Sequence, residues 1–322
     1  MANLTLVQAI NLALIQEMER DDRVIVLGED VGRNGGVFRV TEGLYKRFGA
    51  ERVVDTPLAE SGIVGTSIGL AMAGLRPVPE IQFEGFLAPA FDQICTHAAR
   101  MRSRTRGALT VPLTLRVPVG GGIHAPELHS DSPEAFYAHQ PGIKVVMPAS
   151  PYDAKGLLIS AIRDPDPVIF FEPKRLYRAF REEVPEDEYT IPLGKARVVT
   201  EGDELTIISW GAPVVQCMKA IEDSGKSIEL IDLRTIDPLD TEAIVNSARK
   251  TGRVVIVHEA PKNCGLGAEI ASRIMEHCFL YLEAPIQRVT GFDTTMPYYK
   301  MELEYLPEAE RIGKAIEEVT AY

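Results

Sequence analysis

A single carboxylate, Glu60, stands at the entrance of a glycine-rich segment that is predicted to be a helix. Apart from apolar residues, the segment contains the glycines Gly62, Gly65, Gly69 and Gly74. So many glycines lower helix propensity and indicate the close approach of another backbone or a ligand. The pattern alone leaves two interpretations open. Glu60 either complements the positive end of the helix dipole or serves a ligand beside a surface of small residues.

Three of the six histidines fall in one loop region, together with the acids Glu127 and Asp131. They follow a predicted strand that ends in three glycines, and they are His124, His129 and His139. Ligands of open α/β sheets bind at the carboxyl ends of strands, and histidine titrates near neutral pH, so general acid–base chemistry is the favoured interpretation. A zinc site is the alternative, although the spacing matches no HExxH or other helical ligand pair.

Two further turns carry acidic residues. GEDVG, residues 28–32, contains Glu29 and follows a predicted strand, and it belongs to neither a GxGxxG nor a GxxxxGK[ST] motif. Asp164 and Asp166 flank Pro165 after a predicted helix. Turn chemistry explains both segments, and a hard cation bound by oxygen atoms is the alternative at the second.

The elements that must position these residues alternate between strand and helix. Thr5 and Gln8 form a capping box, which predicts a first helix that ends near Arg20. The apolar runs predict strands over 24–27, 77–83, 111–117 and 168–171, and helices over 89–102 and 152–162. This alternation is typical of a largely parallel sheet covered by helices, that is, of an α/β fold.

An acidic, proline-bearing stretch, residues 181–195, interrupts the alternation and is typical of a connection between domains. We therefore expect domains over residues 1–185 and 186–322. The second, smaller α/β domain is predicted to have strands over 205–209, 228–231, 254–257 and 286–289, and helices near residues 214, 242, 268 and 309.

Composition excludes several classes of protein. The 322 residues include 34 basic and 46 acidic side chains, and the net charge of −12 would repel a nucleic-acid backbone. No stretch approaches the roughly 18 apolar residues of a membrane span, and no secretory signal precedes the first helix, so a cytoplasmic location is expected. The four cysteines form no CxxC pair, which favours reduced packing thiols.

Long collinear motifs cover nearly the whole chain and resemble one family, the β subunit of the thiamine-diphosphate-dependent E1 component of 2-oxo acid dehydrogenase complexes. The motifs are GEDVG, DTPLAESG, GLAMAGLRPVPEIQF, PAFDQI, HSDSPEAFYAHQPGIKVVMP, SPYDAKGLLISAIRDPDPVIFFEP, LRTIDPLD and LEAPIQRVTG. The resemblance implies an N-terminal domain that binds the pyrimidine of thiamine diphosphate and a C-terminal domain like that of transketolase.

The same resemblance implies roles for particular residues. Glu60 would hydrogen-bond the N1′ atom of the aminopyrimidine and favour its imino tautomer. Leu58, Phe86 and Glu29 would belong to the same cofactor pocket. His129, in the HSDS motif, would handle protons while the acyl group passes to a lipoyl dithiolane.

The resemblance also implies metals and partners. Five residues fall where some members hold a structural potassium ion, mainly through backbone oxygens: Leu113, Ala161, Ile162, Asp164 and Asp166. Asp166 stands where asparagine is usual. The GDG…NN motif that binds magnesium and diphosphate belongs to the α subunit and is absent here. The chain is therefore expected to form an α2β2 heterotetramer with E1 α, with the cofactor at the interface, and to serve the lipoyl acyltransferase E2.

The substrate is expected to be a small 2-oxo acid. SPEAFYAH, FFEPKRLYR and EHCFLYLEAPIQRVTG favour a branched-chain substrate, whereas GGGIHAPELHSDS and SPYDAKGLLISAIRD favour the alternative, pyruvate (or acetoin). Pockets discriminate single methylenes by only about 1–3 kcal/mol, so both acids are candidates. Two rival functions stay open: half of a transketolase-like enzyme, and a non-catalytic assembly subunit, against which the presence of Glu60 and His129 argues.

Overall fold

The first helix begins where the capping box predicts. In the computed structural model, which describes residues 1–322, α1 spans Leu6–Arg20. The Thr5 hydroxyl accepts a hydrogen bond from the backbone N–H of Gln8, and the Gln8 side chain accepts one from the backbone N–H of Thr5. Both bonds satisfy N–H groups that a helix start otherwise leaves unpaired, so the sequence defines the start of the helix locally.

The remaining elements alternate along the chain much as the apolar runs predict. In the N-terminal half the strands are β1 (Ala2–Leu4), β2 (Val24–Gly28), β3 (Val53–Asp55), β4 (Arg76–Glu80), β5 (Thr114–Val119), β6 (Lys144–Val146), β7 (Val168–Pro173) and β8 (Glu182–Val184). The helices that follow α1 there are α2 (Leu44–Phe48), α3 (Glu60–Met72), α4 (Met101–Arg104), α5 (Glu134–Ala138) and α6 (Pro151–Arg163).

The C-terminal half has the same character. Its strands are β9 (Arg197–Thr200), β10 (Leu205–Ser209), β11 (Ile228–Asp232), β12 (Thr235–Asp237), β13 (Val254–Pro261) and β14 (Gln287–Gly291). Its helices are α7 (Pro213–Ser224), α8 (Thr241–Thr251), α9 (Leu266–Cys278), α10 (Glu302–Tyr305) and α11 (Ala309–Thr320). The predicted α/β class is confirmed.

Two largely parallel sheets form the centres of the two halves. The first has seven strands in the order β12-β6-β7-β5-β4-β2-β3, and only the pairing of β12 with β6 is antiparallel. The second has five strands in the order β14-β13-β10-β11-β9, and only β9 runs antiparallel. Strands β2, β5 and β7 are buried along their whole length, as expected for parallel strands covered on both faces.

One strand pairing crosses the predicted domain boundary, and another involves the connecting stretch. β12 comes from the C-terminal half and completes the edge of the first sheet beside β6. β8, inside the acidic connecting stretch, pairs antiparallel with β1 at the other end of the half. The split at residues 185 and 186 therefore stays a prediction, and the first sheet includes one strand from beyond it.

The predicted helix over 89–102 is wrong as a single helix. The structure has a 3₁₀ segment over Glu84–Ala90, a π-helical turn over Gln93–Ala98, and then α4. Pro89 lies inside the 3₁₀ segment. Proline is tolerated at the first position of a helix, so Pro89 does not explain the break. The predicted helix is interrupted by the π-helical turn and by the turn at residues 99–100 that precedes α4. None of the helices in the structure is long and apolar enough to cross a membrane.

Candidate active site

The carboxyl ends of four neighbouring parallel strands, β2, β4, β5 and β7, meet at one edge of the first sheet. β2 lies between β3 and β4, so the chain direction across the sheet reverses there. Glu29 directly follows β2, and the side-chain amide of Gln82, after β4, donates to the Glu29 carbonyl oxygen at 3.3 Å. In open α/β sheets the crevice at such a switch point is the usual ligand site.

Glu60 and Glu29 approach each other at this crevice. Glu60 is the first residue of α3 and is half-buried, as is Glu29. Burial raises the pKa of Glu29, and the negative charges of Glu60 and Asp30 raise it further. Nearby carboxylates repel one another, so the charge of Glu60 favours the protonated form of Glu29. Leu58, two residues before Glu60, is 78% exposed.

The GEDVG turn is held in place by a residue that sequence reasoning missed. One carboxylate oxygen of Asp55 accepts from the backbone N–H of Gly32 at 2.6 Å, and the other accepts from that of Arg33 at 3.1 Å. Asp55 ends β3, and it precedes Glu60 in the DTPLAESG motif. The motif thus contributes both an acid at the crevice and the side chain that anchors the neighbouring turn.

His129 lies against two phenylalanines that follow β4. Its ring centroid is 4.2 Å from that of Phe83 and 5.1 Å from that of Phe86. Its Nδ1 is 2.7 Å from the carbonyl oxygen of Glu127. A carbonyl only accepts, so Nδ1 carries the hydrogen and Nε2 of the neutral ring presents a lone pair. The ring is therefore oriented to exchange a proton through Nε2.

The loop that carries His129, residues 120–132, is closed at its base and packed tightly. The backbone N–H of Gly120 donates to the Asp131 carbonyl at 3.0 Å. Gly85 faces the backbone of Leu128 so closely that a Cβ there would collide with the Leu128 carbonyl oxygen. Glycine is therefore required at this contact between the 3₁₀ segment and the loop.

A buried ion pair lies beneath the same loop. Lys174 follows β7, and its ammonium group donates to Glu84 Oε2 at 2.6 Å and to the carbonyl oxygen of His129 at 2.6 Å. The side chains of Lys174 and Glu84 have no exposed surface. The two residues are 90 positions apart, so no local sequence pattern indicated the pair.

The loop also touches the C-terminal half through two acids. Glu259 Oε1 accepts from the backbone N–H of Gly121 and from the Ser132 hydroxyl, at 3.3 Å for the latter. Glu302 accepts from the backbone N–H of Gly122 at 2.7 Å, and its other oxygen lies 2.8 Å from His124 Nδ1. His124 is thus assigned to a contact between the two halves.

The histidines do not assemble into a metal site. No group of three or more His, Cys, Asp or Glu side chains in the structure is placed to hold a metal ion. His139 lines a cleft of about 1030 Å³ that lies between the two halves, beside the His129 loop. The zinc alternative therefore has no supporting geometry, and the three histidines occupy different surroundings.

The residues assigned to potassium contact cations of the protein itself. Arg76 donates to the carbonyl oxygens of Ile162 and Asp164, at 2.7 Å and 3.2 Å. Lys144 Nζ lies 2.7 Å from Asp164 Oδ1, and Arg102 donates to Asp166 Oδ1 at 2.7 Å.

The other two residues assigned to potassium, Leu113 and Ala161, have carbonyl oxygens that accept hydrogen bonds from backbone N–H groups. The Leu113 carbonyl accepts from Val168 at 2.9 Å, and the Ala161 carbonyl accepts from Asp164 at 3.2 Å. A potassium ion bound to these oxygens would lie beside three cationic side chains and be repelled. The cations that occupy these oxygens argue against a potassium ion at this position, and the potassium site stays a prediction.

Comparison with known families accounts for both halves of the chain. Residues 2–179 match the transketolase pyrimidine-binding domain, and residues 194–312 match the transketolase C-terminal domain. The pyruvate dehydrogenase E1 component subunit beta of Acholeplasma laidlawii is 52% identical over 319 residues, 98% of each chain. The chain belongs to the E1 β-subunit family of 2-oxo acid dehydrogenases.

Other E1 β subunits are equally similar. The protein of the same name from Staphylococcus epidermidis is 54% identical over 97% of each chain, and that from Staphylococcus aureus is 53% identical over the full length of both chains. A split-gene transketolase, solved as an inactive β4 tetramer, superposes with a TM-score of 0.78 over 99% of each chain at 22% identity. At that identity the likeness shows that E1 β shares the transketolase fold.

Membership confirms the family resemblance that the motifs predict. E1 β chains are subunits of thiamine-diphosphate-dependent oxidoreductases, and the matched pyrimidine-binding domain is the half that contains Glu29, Glu60, Phe86 and His129. The roles assigned to these residues and to Leu58 stay predictions. The geometry brings Glu29 close to Glu60, and separately brings Phe86 against His129, at the same edge of the sheet.

Proposed function

We propose that this E1 β subunit acts on pyruvate, which it decarboxylates oxidatively together with an α subunit before the acetyl group passes to the lipoyl group of E2. The relatives, 52–54% identical over nearly their whole length, are named as pyruvate dehydrogenase subunits. They favour the alternative, pyruvate, over the branched-chain substrate that several motifs favour. The proposed catalytic role is supported by one observation: Glu60, Phe86 and His129 lie at the same edge of the first sheet.

The residues at this edge fit the pyrimidine half of thiamine diphosphate. A half-buried carboxyl pair, Glu29 and Glu60, offers one proton to share with a ring nitrogen, and Phe86 offers an aromatic face. When bound, the cofactor would supply a thiazolium carbon that serves as nucleophile and electron sink. Glu60 would hold a proton at the pyrimidine N1′ atom, and Glu29, whose pKa is raised by burial and by the charge of Glu60, would lie beside it.

His129 would carry a second proton. Its Nδ1–H is committed to the Glu127 carbonyl, so Nε2 would carry the proton that the leaving sulfur needs when the S–S bond of the dithiolane opens and its other sulfur bonds the acyl carbon. Phe83 and Phe86 pack against the ring, which is half-buried. Tight packing around a histidine of fixed tautomer suits proton transfer at one defined atom.

The chain would hold only part of the active site. Magnesium and the diphosphate would be bound by the α subunit, to which the family resemblance assigns the GDG…NN motif. Leu58, beside Glu60, is a largely exposed apolar side chain at the crevice. A partner chain that covers it would bury apolar surface and close the crevice to water, which is consistent with an α2β2 assembly.

The decisive experiment is thiamine-diphosphate-dependent ferricyanide reduction by the chain co-expressed with its α partner. Pyruvate is compared with 3-methyl-2-oxobutanoate, and the β chain alone serves as the control. We expect a preference for pyruvate and no activity from β alone. A preference for 3-methyl-2-oxobutanoate would move the protein to branched-chain substrates, and activity from β alone would overturn the shared site.

A further inference from the structure

We propose that the buried pair formed by Glu84 and Lys174 positions His129 for proton transfer. This inference rests on the proposed role of His129 in passing the acyl group to lipoate. Neither side chain faces the crevice solvent, and neither is assigned to cofactor or substrate. Their role is to fix the backbone at the histidine and just after it.

The contacts of the pair point to the loop. Lys174 Nζ bridges Glu84 Oε2 and the His129 carbonyl oxygen, each at 2.6 Å. The second oxygen of Glu84 accepts from the backbone N–H of Asp131 at 2.6 Å. One ion pair thus holds the carbonyl of residue 129 and the amide of residue 131. Charge-assisted hydrogen bonds of this length are short and directional, so they restrict the loop backbone.

The same lysine also supports the aromatic surroundings of the histidine. Its Nζ lies 5.4 Å from the centroid of the Phe83 ring, and the Phe83 ring packs on His129. A cation over an aromatic face attracts the ring. His129 is therefore held through its backbone by Lys174 and through its ring by a phenylalanine that Lys174 contacts.

Burial of Glu84 and Lys174 away from water costs free energy, and each charge is stabilised there mainly by the other. Burial raises the pKa of Glu84 to about 7 and lowers the pKa of Lys174. A well-packed apolar pair would fill the same space without removing two charges from water. The polar pair adds what apolar residues lack, namely hydrogen bonds to chosen backbone atoms of the His129 loop.

The loop does not depend on the pair for its closure. Its base is held by the bond from Gly120 to Asp131 and by the contacts of Glu259 with Gly121 and Ser132. Removal of the pair should therefore leave the loop in place but let the segment around His129 shift. Misplacement of a reacting group by about 1 Å costs on the order of 100-fold in rate.

The test uses the αβ enzyme with E2 and compares Lys174→Met with Lys155→Met. Lys155 is a buried lysine of the same half, and its ammonium donates to the carbonyls of Pro185 and Asp187, on the connecting stretch rather than the loop. Two rates are measured: ferricyanide reduction, which needs no lipoate, and acylation of the lipoyl domain. We expect Lys174→Met to slow acylation by about 10- to 100-fold and ferricyanide reduction by less than about 3-fold. Lys155→Met should not separate the two rates.

A double-variant cycle with His129→Ala decides the mechanism. If Lys174 acts through the histidine, its substitution should have no further effect on acylation once His129 is alanine. An equal loss in both backgrounds would overturn the positioning role. Normal acylation by His129→Ala alone would instead overturn the proposed role of His129.

A second variant keeps the proposal testable if Lys174→Met does not assemble with the α subunit. Glu84→Gln combined with Lys174→Met removes both charges at once and leaves no uncompensated buried ion. It should assemble with α and show the same selective loss of acylation. Assembly with both rates at the wild-type value would overturn the inference.

Discussion

Both halves of the molecule contain a parallel sheet with a switch point, but they use it differently. In the first sheet the crevice between β2 and β4 has Glu29 and Glu60 half-buried at its mouth. In the second sheet the equivalent crevice lies between β10 and β13, and the first half of the chain fills it. Trp210, which follows β10, donates its indole N–H to Glu134 Oε1 of α5 at 3.2 Å.

The filled crevice is closed on every side. Trp210 stacks on His258 of β13, with centroids 5.2 Å apart, and neither ring nitrogen of His258 has a hydrogen-bond partner. Burial lowers the pKa of His258 to about 4, so the ring stays neutral. The next residue, Glu259, binds the loop that carries His129. A shared topology thus indicates where a ligand can bind, and the burial of each crevice decides which one is available.

The largest expected effect is at the open crevice. Glu60→Gln removes the proton-sharing carboxylate, and we expect ferricyanide reduction by the αβ enzyme to fall by roughly 10²–10⁴-fold. Glu242→Gln is the matched control, because Glu242 lies in the first turn of α8 in the other half and its side chain is 79% exposed. An equal loss in both variants would mean that Glu60 only complements its helix dipole.

A substitution in the filled crevice should lower the stability of the protein. Trp210→Ala empties the space between the halves, and we expect the free energy of unfolding to fall by about 3–5 kcal/mol, as for other large core truncations. Urea unfolding of the αβ enzyme, followed by circular dichroism, measures the change. An unfolding midpoint equal to that of the wild type would show that this contact does not join the halves.

The buried carboxyl of Glu134, which accepts from Trp210 in the filled crevice, should make the stability of the protein depend on pH. Burial raises the pKa of Glu134 from its usual 4.5 to about 7, so the folded chain holds a proton that the unfolded chain releases. The stabilisation is complete below about pH 4.5 and is lost as the pH rises through 7. Relative to Glu134→Gln, the wild type should lose about 3 kcal/mol over this range. Urea midpoints measured at intervals from pH 4.5 to 8 test it, and parallel curves for the two proteins would contradict it.

The smallest expected effect concerns potassium. Arg76, Lys144 and Arg102 already neutralise the oxygens at the end of α6, so replacing K⁺ by tetramethylammonium at constant ionic strength should leave the melting temperature unchanged. A sodium control separates ion identity from ionic strength. Stabilisation by potassium alone would restore the ion site that the family resemblance implies.

Local signals were sufficient for much of the fold. The capping box of Thr5 and Gln8 defined the start of α1, and the apolar run over Leu205–Ser209 gave the bounds of β10. Strands of three residues, such as β3, β6 and β12, are too short to show a period. Helical spacing predicted one helix over 89–102, where the structure has a π-helical turn and the separate helix α4.

The site was predictable only where a motif kept its residues together. Glu60 and His129 lie in motifs that the family resemblance identifies, whereas Glu84 and Lys174 meet across 90 positions of chain. Pairing at that distance depends on the order of strands in the sheet. The cations around Asp164 were not predictable for the same reason, because Arg76 and Lys144 reach it from separate elements.

The pairing of β12 with β6 has a consequence for synthesis of the chain. β6 ends at Val146, and the strand that covers its edge ends at Asp237, about 90 residues later. At roughly 5–20 residues per second, a ribosome needs about 5–20 s to deliver it. During that interval the nascent N-terminal half exposes an unpaired strand edge, which invites pairing with other chains. This is the period in which a chaperone bound to the nascent chain would most improve the yield.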